Sequence, residues 1–173
     1  MATTKRKSTQ EMPNAHLHDL FVDEMKDMLG AEKQLLKGLK KMAASAKGDD
    51  LKKAFEEHYT QTETHIERLK EAFASIGKAA RGKKCKAMEG LLEEAEEIID
   101  EFEDDEALDA ALICAAQKVE HYEIATYGCL VTYAKLMEHT EAEEILALTL
   151  AEEKETDVLL TEIAMAQSNV SEA

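Results

Sequence analysis

Apolar residues recur at steps of three and four through five stretches of the chain, and the breaks between those stretches are of very unequal length. In the first, Leu17, Phe21, Met25, Met28, Leu35, Leu39 and Met42 follow Pro13-Asn14, a helix start, and predict a helix over about 14–45. Lys47-Gly48-Asp49-Asp50 reads as a short turn with an Asp cap. Leu51, Phe55, Ile66, Leu69, Phe73 and Ile76 carry a second helix over about 50–76, which Gly77 ends. After a basic loop at 78–86, Leu91, Leu92, Ile98, Ile99 and Phe102 predict a shorter helix over about 86–103. Asp104-Asp105 restarts the chain, and Leu108, Leu112, Val119, Tyr127 and Leu130 predict a long helix to about 138. His139-Thr140 turns into a last helix over about 140–167, with Ile145, Leu146, Leu150, Leu160 and Ile163 on its stripe. Strands have little to build on: Ala, Glu, Leu and Lys dominate, with one Pro, seven Gly and no Trp.

Linker length then decides the topology. Tight turns at 46–49 and near 139 each make an antiparallel hairpin. Between them lies a connection of roughly 27 residues. The second helix would be about 40 Å long at 1.5 Å per residue, and that connection is long enough to travel back along it. The expected fold is therefore all-α: a ferritin-like four-helix bundle of two antiparallel hairpins, with an additional helix in the crossover. One domain over 13–168 fits the length of 173 residues, leaving a disordered leader at 1–12 and a flexible tail at 169–173.

The charge of −16 describes a surface that repels nucleic acid and anionic membrane, so neither is an expected partner. The basic exceptions, Lys5-Arg6-Lys7 and a loop with Lys78, Arg81, Lys83, Lys84 and Lys86, read as solvated charges. Cys85, Cys114 and Cys129 are odd in number and form no CxxC pair, which suits reduced thiols in a cytoplasmic protein. No apolar run resembles a signal peptide or a membrane span.

Acids fall where the core should be. The stripe Leu112, Ala116, Glu120, Glu123, Tyr127, Leu130 turns two carboxylates inward, as does Leu146, Leu150, Glu153, Asp157, Leu160, Ala164. Glu32 lies on the stripe of Met28, Leu35 and Leu39. Counting from the hairpin turns sets Glu120 and Glu123 level with Glu153 and Asp157. The same count reflects Glu32 onto positions 61–65. His58, Thr62 and His65 share a face of the second helix, with Gln61 beside it. Buried unpaired carboxylates cost several kcal/mol each, so they are protonated, wet at a stripe edge, or neutralised by cations. Five carboxylates bring −5 and two divalent or trivalent ions bring +4 to +6, close to balance. Imidazole suits iron, manganese or zinc. Plainer readings stand beside this one. A stripe histidine is often a hydrogen-bonded core residue, and Glu152-Glu153-Lys154-Glu155 has the look of a solvated face. Tyr122, Tyr127 and Tyr133 read as packing residues, and His121 as exterior.

The segments Ala31-Glu32-Lys33-Gln34-Leu35, Ala115 through Ala125, and Thr149 through Lys154 with Asp157 resemble the YciE/YciF-type bacterial stress proteins. That ferritin-like family is catalogued as a domain of unknown function. Lys84-Cys85-Lys86-Ala87-Met88-Glu89-Gly90-Leu91 matches its crossover, and the similarity spans about 15–165. The resemblance implies a rubrerythrin-like bundle, a homodimer, and a link to osmotic, oxidative or other stress. It implies Glu32, His58, Glu120, Glu123, Glu153 and Asp157 as metal candidates, holding two ions with iron foremost. It favours His58 where hairpin geometry favours His65. The second helix departs from the wider superfamily, which offers Glu-x-x-His where this chain has Thr62-x-x-His65.

Two functional expectations follow from different classes. One is a di-iron or di-manganese oxidoreductase acting on a small oxidant, peroxide or dioxygen. The other is a non-enzymatic dimeric helical stress protein without a redox site. A storage or DNA-protecting cage is disfavoured by the extra crossover helix and the acidic surface. No phosphate loop, Gly-x-Ser-x-Gly elbow or His-Glu-x-x-His motif is present.

Overall fold

A computed structural model describes residues 12–168, so the leader before Met12, with Lys5-Arg6-Lys7, and the tail at 169–173 lie outside the described residues. Five α-helices make up nearly all of the rest: α1 (His18–Ser45), α2 (Asp49–Ser75), α3 (Lys86–Phe102), α4 (Leu108–Leu136) and α5 (Thr140–Ile163). A 3-10 turn (Ala15–Leu17) precedes α1, and a π turn (Ala164–Ser168) follows α5.

Helix bounds follow the apolar stripes, and the differences lie at the ends. The α-helix starts at His18 rather than near 14, because Asn14 adopts a left-handed φ of 53°. From there its Nδ2 donates to the Leu136 carbonyl at 2.7 Å, supplying a partner at the open end of α4. The expected Asp cap of α2 is displaced. Gly48 is the N-cap, and the carboxylate of Asp109, at the start of α4, accepts from Lys47 N at 2.8 Å and Gly48 N at 2.7 Å. The first hairpin turn is thus tied to the other hairpin. α4 begins at Leu108 because Asp105 turns the chain, its Oδ1 accepting from Ala107 N at 2.8 Å.

α1 and α2 pack as one hairpin and α4 and α5 as the other; α2 lies against α5 and α1 against α4. α3 covers the side where α1 meets α4. The interior is filled by Phe21, Met25, Met28, Leu35, Leu69, Phe73, Leu112, Leu130 and Leu146, all essentially without exposure. Two hairpins therefore turn four stripes toward one axis, with the crossover on the outside.

Gly77, at φ 68°, ends α2 in a conformation that suits glycine. The crossover then runs as a strap over α1. Lys83 N donates to the Lys26 carbonyl at 3.0 Å. The Gln34 side chain grips Cys85 from both sides, accepting from its N at 2.8 Å and donating to its O at 3.0 Å. A Cβ on Gly30 would stand 1.6 Å from the Lys83 carbonyl oxygen, so this approach requires glycine. Lys83 pairs with Asp23 at 2.6 Å, and Lys84 pairs with Glu89, so part of the basic loop is neutralised within the chain. No helix among the described residues is long and apolar enough to cross a membrane.

Candidate metal centre

At mid-height four helices each turn polar side chains into this core. α1 contributes Glu32, α2 His58, Thr62 and His65, α4 Glu120 and Glu123, and α5 Glu153; all are buried, none more than 3% exposed. Their ligand atoms gather into two groups, each within 4.8 Å. His58, Glu120, Glu123 and Glu153 form one; Glu32, His65 and Glu153 form the other, so Glu153 belongs to both. The two imidazole rings stand 6.4 Å apart, centre to centre.

Each histidine therefore belongs to one of the two groups. His58 Nε2 comes within 3.2 Å of Glu120 Oε1. His65 Nδ1 lies 3.0 Å from Glu153 Oε1 and 3.8 Å from Glu32 Oε1, as hairpin counting expects. Seven residues is nearly two helical turns, and each ring falls in a different group. Asp157 joins neither group. It lies one turn beyond Glu153, at the α4–α5 boundary, where its Oδ1 accepts from Gln117 Nε2 at 3.2 Å and stands 3.4 Å from His121 Nε2. His121 is exposed, as its place on α4 predicts.

Several contributors are not evident in the stripes. Glu152, which looks like part of a solvated face, accepts from His65 Nε2 at 2.8 Å. Arg68 holds that same carboxylate with Nη1 at 2.7 Å and Nη2 at 2.8 Å. Its signal was its place three residues after His65, on the same face of α2. Tyr127 is more than a packing residue: its hydroxyl donates to Glu32 Oε1. Thr62 does not substitute for a missing carboxylate, because its Oγ1 donates to the His58 carbonyl at 2.9 Å.

The electrostatics follow from burial and crowding. Burial first, then the charge of Glu153, pushes Glu32 up to about 8, against the opposing pull of His65 and Tyr127. The same two causes raise Glu120 and Glu123 well above the ordinary carboxylate range. Burial lowers His58. Burial also works to lower His65, but Glu153, Glu32 and Glu152 outweigh it and bring it to about 9. The Arg68 guanidinium holds Glu152 down at about 2 despite partial burial.

Donor chemistry fits cations here. Glu32 Oε2, His58 Nε2, His65 Nδ1, Glu120 Oε2 and both oxygens of Glu123 and Glu153 are buried without a hydrogen-bond partner. Close contacts such as His65 Nδ1 to Glu153 are short in distance but out of line for hydrogen bonding. Each such orphan costs about 1–3 kcal/mol. A convergent set of them around shared oxygen atoms is what hard or borderline cations would satisfy. A cavity of about 10 Å³, room for one water, adjoins His58 and Glu120 and is otherwise lined by residues such as Leu35, Phe55, Val119 and Leu160.

Two antiparallel helical hairpins, a helical crossover and inward carboxylates with imidazole at mid-height define a ferritin-like helical protein. The chain belongs to the family described as Domain of unknown function (DUF892), whose model matches residues 16–172. It is 44% identical over 154 residues to Protein YciF of Escherichia coli (strain K12), covering 88% of this chain and 93% of that one. The crystal structure of the E. coli stress protein YciF superposes with a TM-score of 0.86, covering 90% of this chain and 98% of that chain. YcfI from Rhodopseudomonas palustris, 35% identical, gives 0.82 with coverage of 90% and 98%. A protein from Xanthomonas campestris pv. campestris, 20% identical, gives 0.69 over 87% and 92% and shares the fold alone.

Proposed function

We propose that this chain is a stress-response protein whose bundle interior binds two metal ions, and that the loaded centre carries out redox chemistry on peroxide or dioxygen. The observation that carries the reading is the set of unpartnered oxygens and nitrogens from four helices around Glu153. His58, Glu120 and Glu123 would hold one ion and Glu32 and His65 the other, with Glu153 shared. Iron is the first choice, with manganese or zinc as alternatives. When bound, such ions supply electrons and polarise an O–O bond.

The chain's own residues set the conditions. Leu35, Phe55, Val119 and Leu160 keep bulk water from the His58 side, and the cavity beside Glu120 has room for about one water. A space that small excludes a bulky organic substrate. Tyr127 holds the Glu32 carboxylate through its hydroxyl. The stress role is carried over from the E. coli relative, a stress protein. Three free cysteines support a cytoplasmic location. Leu148 and Leu159, 57% and 38% exposed at positions eleven apart on α5, support pairing with a second copy.

The test is elemental analysis of protein from iron- and manganese-replete cells, with peroxide consumption measured before and after chelation. Two ions per chain and chelator-sensitive turnover are expected; Glu120→Ala should lose the ion of its group, Glu153→Ala should lose both, and each should lose turnover. Metal-free protein that chelators leave unchanged would return the chain to a non-enzymatic structural role.

A further inference from the structure

We infer that Glu152 and Arg68 form a clamp outside the centre that fixes His65 as an Nδ1 donor, making both positioning residues for cation binding. The inference rests on the reading of the interior as a metal centre.

A neutral imidazole carries one N–H and one lone pair, and its neighbours decide which nitrogen has which. His65 Nε2 lies 2.8 Å from Glu152 Oε2. A carboxylate paired with arginine only accepts, so the hydrogen belongs on Nε2. In the neutral form that a cation requires, the lone pair then falls on Nδ1, which is buried, lacks a hydrogen-bond partner, and faces Glu153 at 3.0 Å and Glu32 at 3.8 Å. Glu152 is in turn held by both arms of the Arg68 guanidinium, at 2.7 and 2.8 Å. Such two-pronged pairing fixes the plane of a carboxylate as well as its position. Arg68 Nη1 also reaches Thr149 Oγ1 at 3.5 Å.

Sequence placement makes the clamp compact. Glu152 and Glu153 are neighbours on α5, one pointing outward to the back of the ring and the other inward to its front. His65 and Arg68 are three apart on α2 and share a face. The other imidazole has no such support: His58 Nδ1 has only the neutral Gln61 Oε1, at a long 3.4 Å. The two rings are thus held unequally, and only His65 is backed by a charged, anchored carboxylate. Carboxylates behind a ligating imidazole orient it and raise its basicity, and losing one typically weakens metal binding about 10–100-fold.

The experiment titrates Zn²⁺, a diamagnetic probe, into full-length metal-free protein by calorimetry, alongside ¹⁵N spectra of the histidine rings. Zinc-loaded wild type should show His65 with its proton on Nε2 and its metal on Nδ1. Glu152→Leu should weaken zinc binding about 10–100-fold and disturb that pattern. Glu152→Gln, whose amide oxygen still accepts from Nε2–H, should restore most of the affinity. Arg68→Met leaves Glu152 in place but unanchored and should give a smaller loss; it serves if the leucine variant does not fold. Unchanged affinity and an unchanged His65 spectrum in Glu152→Leu, or in Arg68→Met if that variant stands in, overturn the clamp while leaving the metal centre intact. A wild type that binds no zinc overturns the metal centre, and the clamp with it.

Discussion

Tyr127 on α4 donates its hydroxyl to Glu32 on α1, tying two helices from different hairpins at the level of the candidate metal centre. Both side chains are fully buried, so the bond has no solvent substitute. Tyr127→Phe leaves a carboxylate oxygen unpartnered, at a cost of about 1–3 kcal/mol. The expected result is a lower denaturation midpoint at unchanged m-value, with weaker metal binding at the Glu32–His65 group. A midpoint equal to wild type would show that the tyrosine only packs.

Without metal, the stability of the bundle should fall as pH rises from about 5 to 8. Burial, then Glu153, raises Glu32 from 4.5 to about 8, and raises Glu120 and Glu123 as well. The folded chain therefore keeps protons that the unfolded chain has released. Stability from these groups is complete below the unfolded value and is lost as pH climbs through the folded one. His65, lowered by burial but raised further by Glu153, Glu32 and Glu152 to about 9, acts in the same direction. His58, lowered by burial, opposes them where the unfolded histidine is charged. Guanidinium midpoints of chelator-treated protein across this range measure the slope, and a saturating metal should flatten it. A metal-free midpoint that climbs toward pH 8 contradicts the crowding of these carboxylates.

Glu123→Gln should move two readouts in opposite directions. Both Glu123 oxygens are buried and unpartnered, and burial, then Glu153 and Glu32, disfavours its charged form, a penalty that the neutral amide escapes. At pH 8 the metal-free variant should gain on the order of 1 kcal/mol, with less gain at pH 5 where protonation has already removed the charge. Its metal affinity should drop sharply. Thermal melts and metal titrations on the same sample separate the two effects.

Metal itself should stabilise the native chain, since the ligands converge only when α1, α2, α4 and α5 are assembled. At a hundredfold excess over the dissociation constant the gain is about 2.7 kcal/mol per ion. For a domain of this size that is roughly 5–10 °C in Tm. Differential scanning with Fe²⁺, Mn²⁺ and Zn²⁺ ranks the ions. No shift with any of them argues against the centre.

Gly30→Ala should lift the crossover strap. Its Cβ meets the backbone carbonyl of Lys83, and a backbone atom cannot swing aside as a side-chain tip can. Overpacking of this kind costs about 1–3 kcal/mol. Cys85, at the end of the strap, is buried with its Sγ 3.1 Å from Tyr122 Oη, whereas Cys114 and Cys129 are exposed. A thiol reagent should therefore label two cysteines quickly in wild type and three in the variant. Slow labelling of Cys85 in both would show that the strap tolerates the methyl group.

The helices, the two tight turns and the long crossover were legible in the chain because apolar spacing reports how a helix faces its own core, and because linker length limits where the next helix can go. Glu32, Glu120, Glu123 and Glu153 were legible for the same reason: a carboxylate on an apolar stripe must point inward. Angle about one helix axis says nothing of how neighbouring helices are rotated or shifted along their lengths. Only the packed bundle could therefore assign His58 and His65 to separate groups, leave Asp157 at the α4–α5 edge beside Gln117 and His121, and bring Glu152 and Arg68 behind the His65 ring. Those are contacts between different helices, and periodicity along one helix carries no record of them.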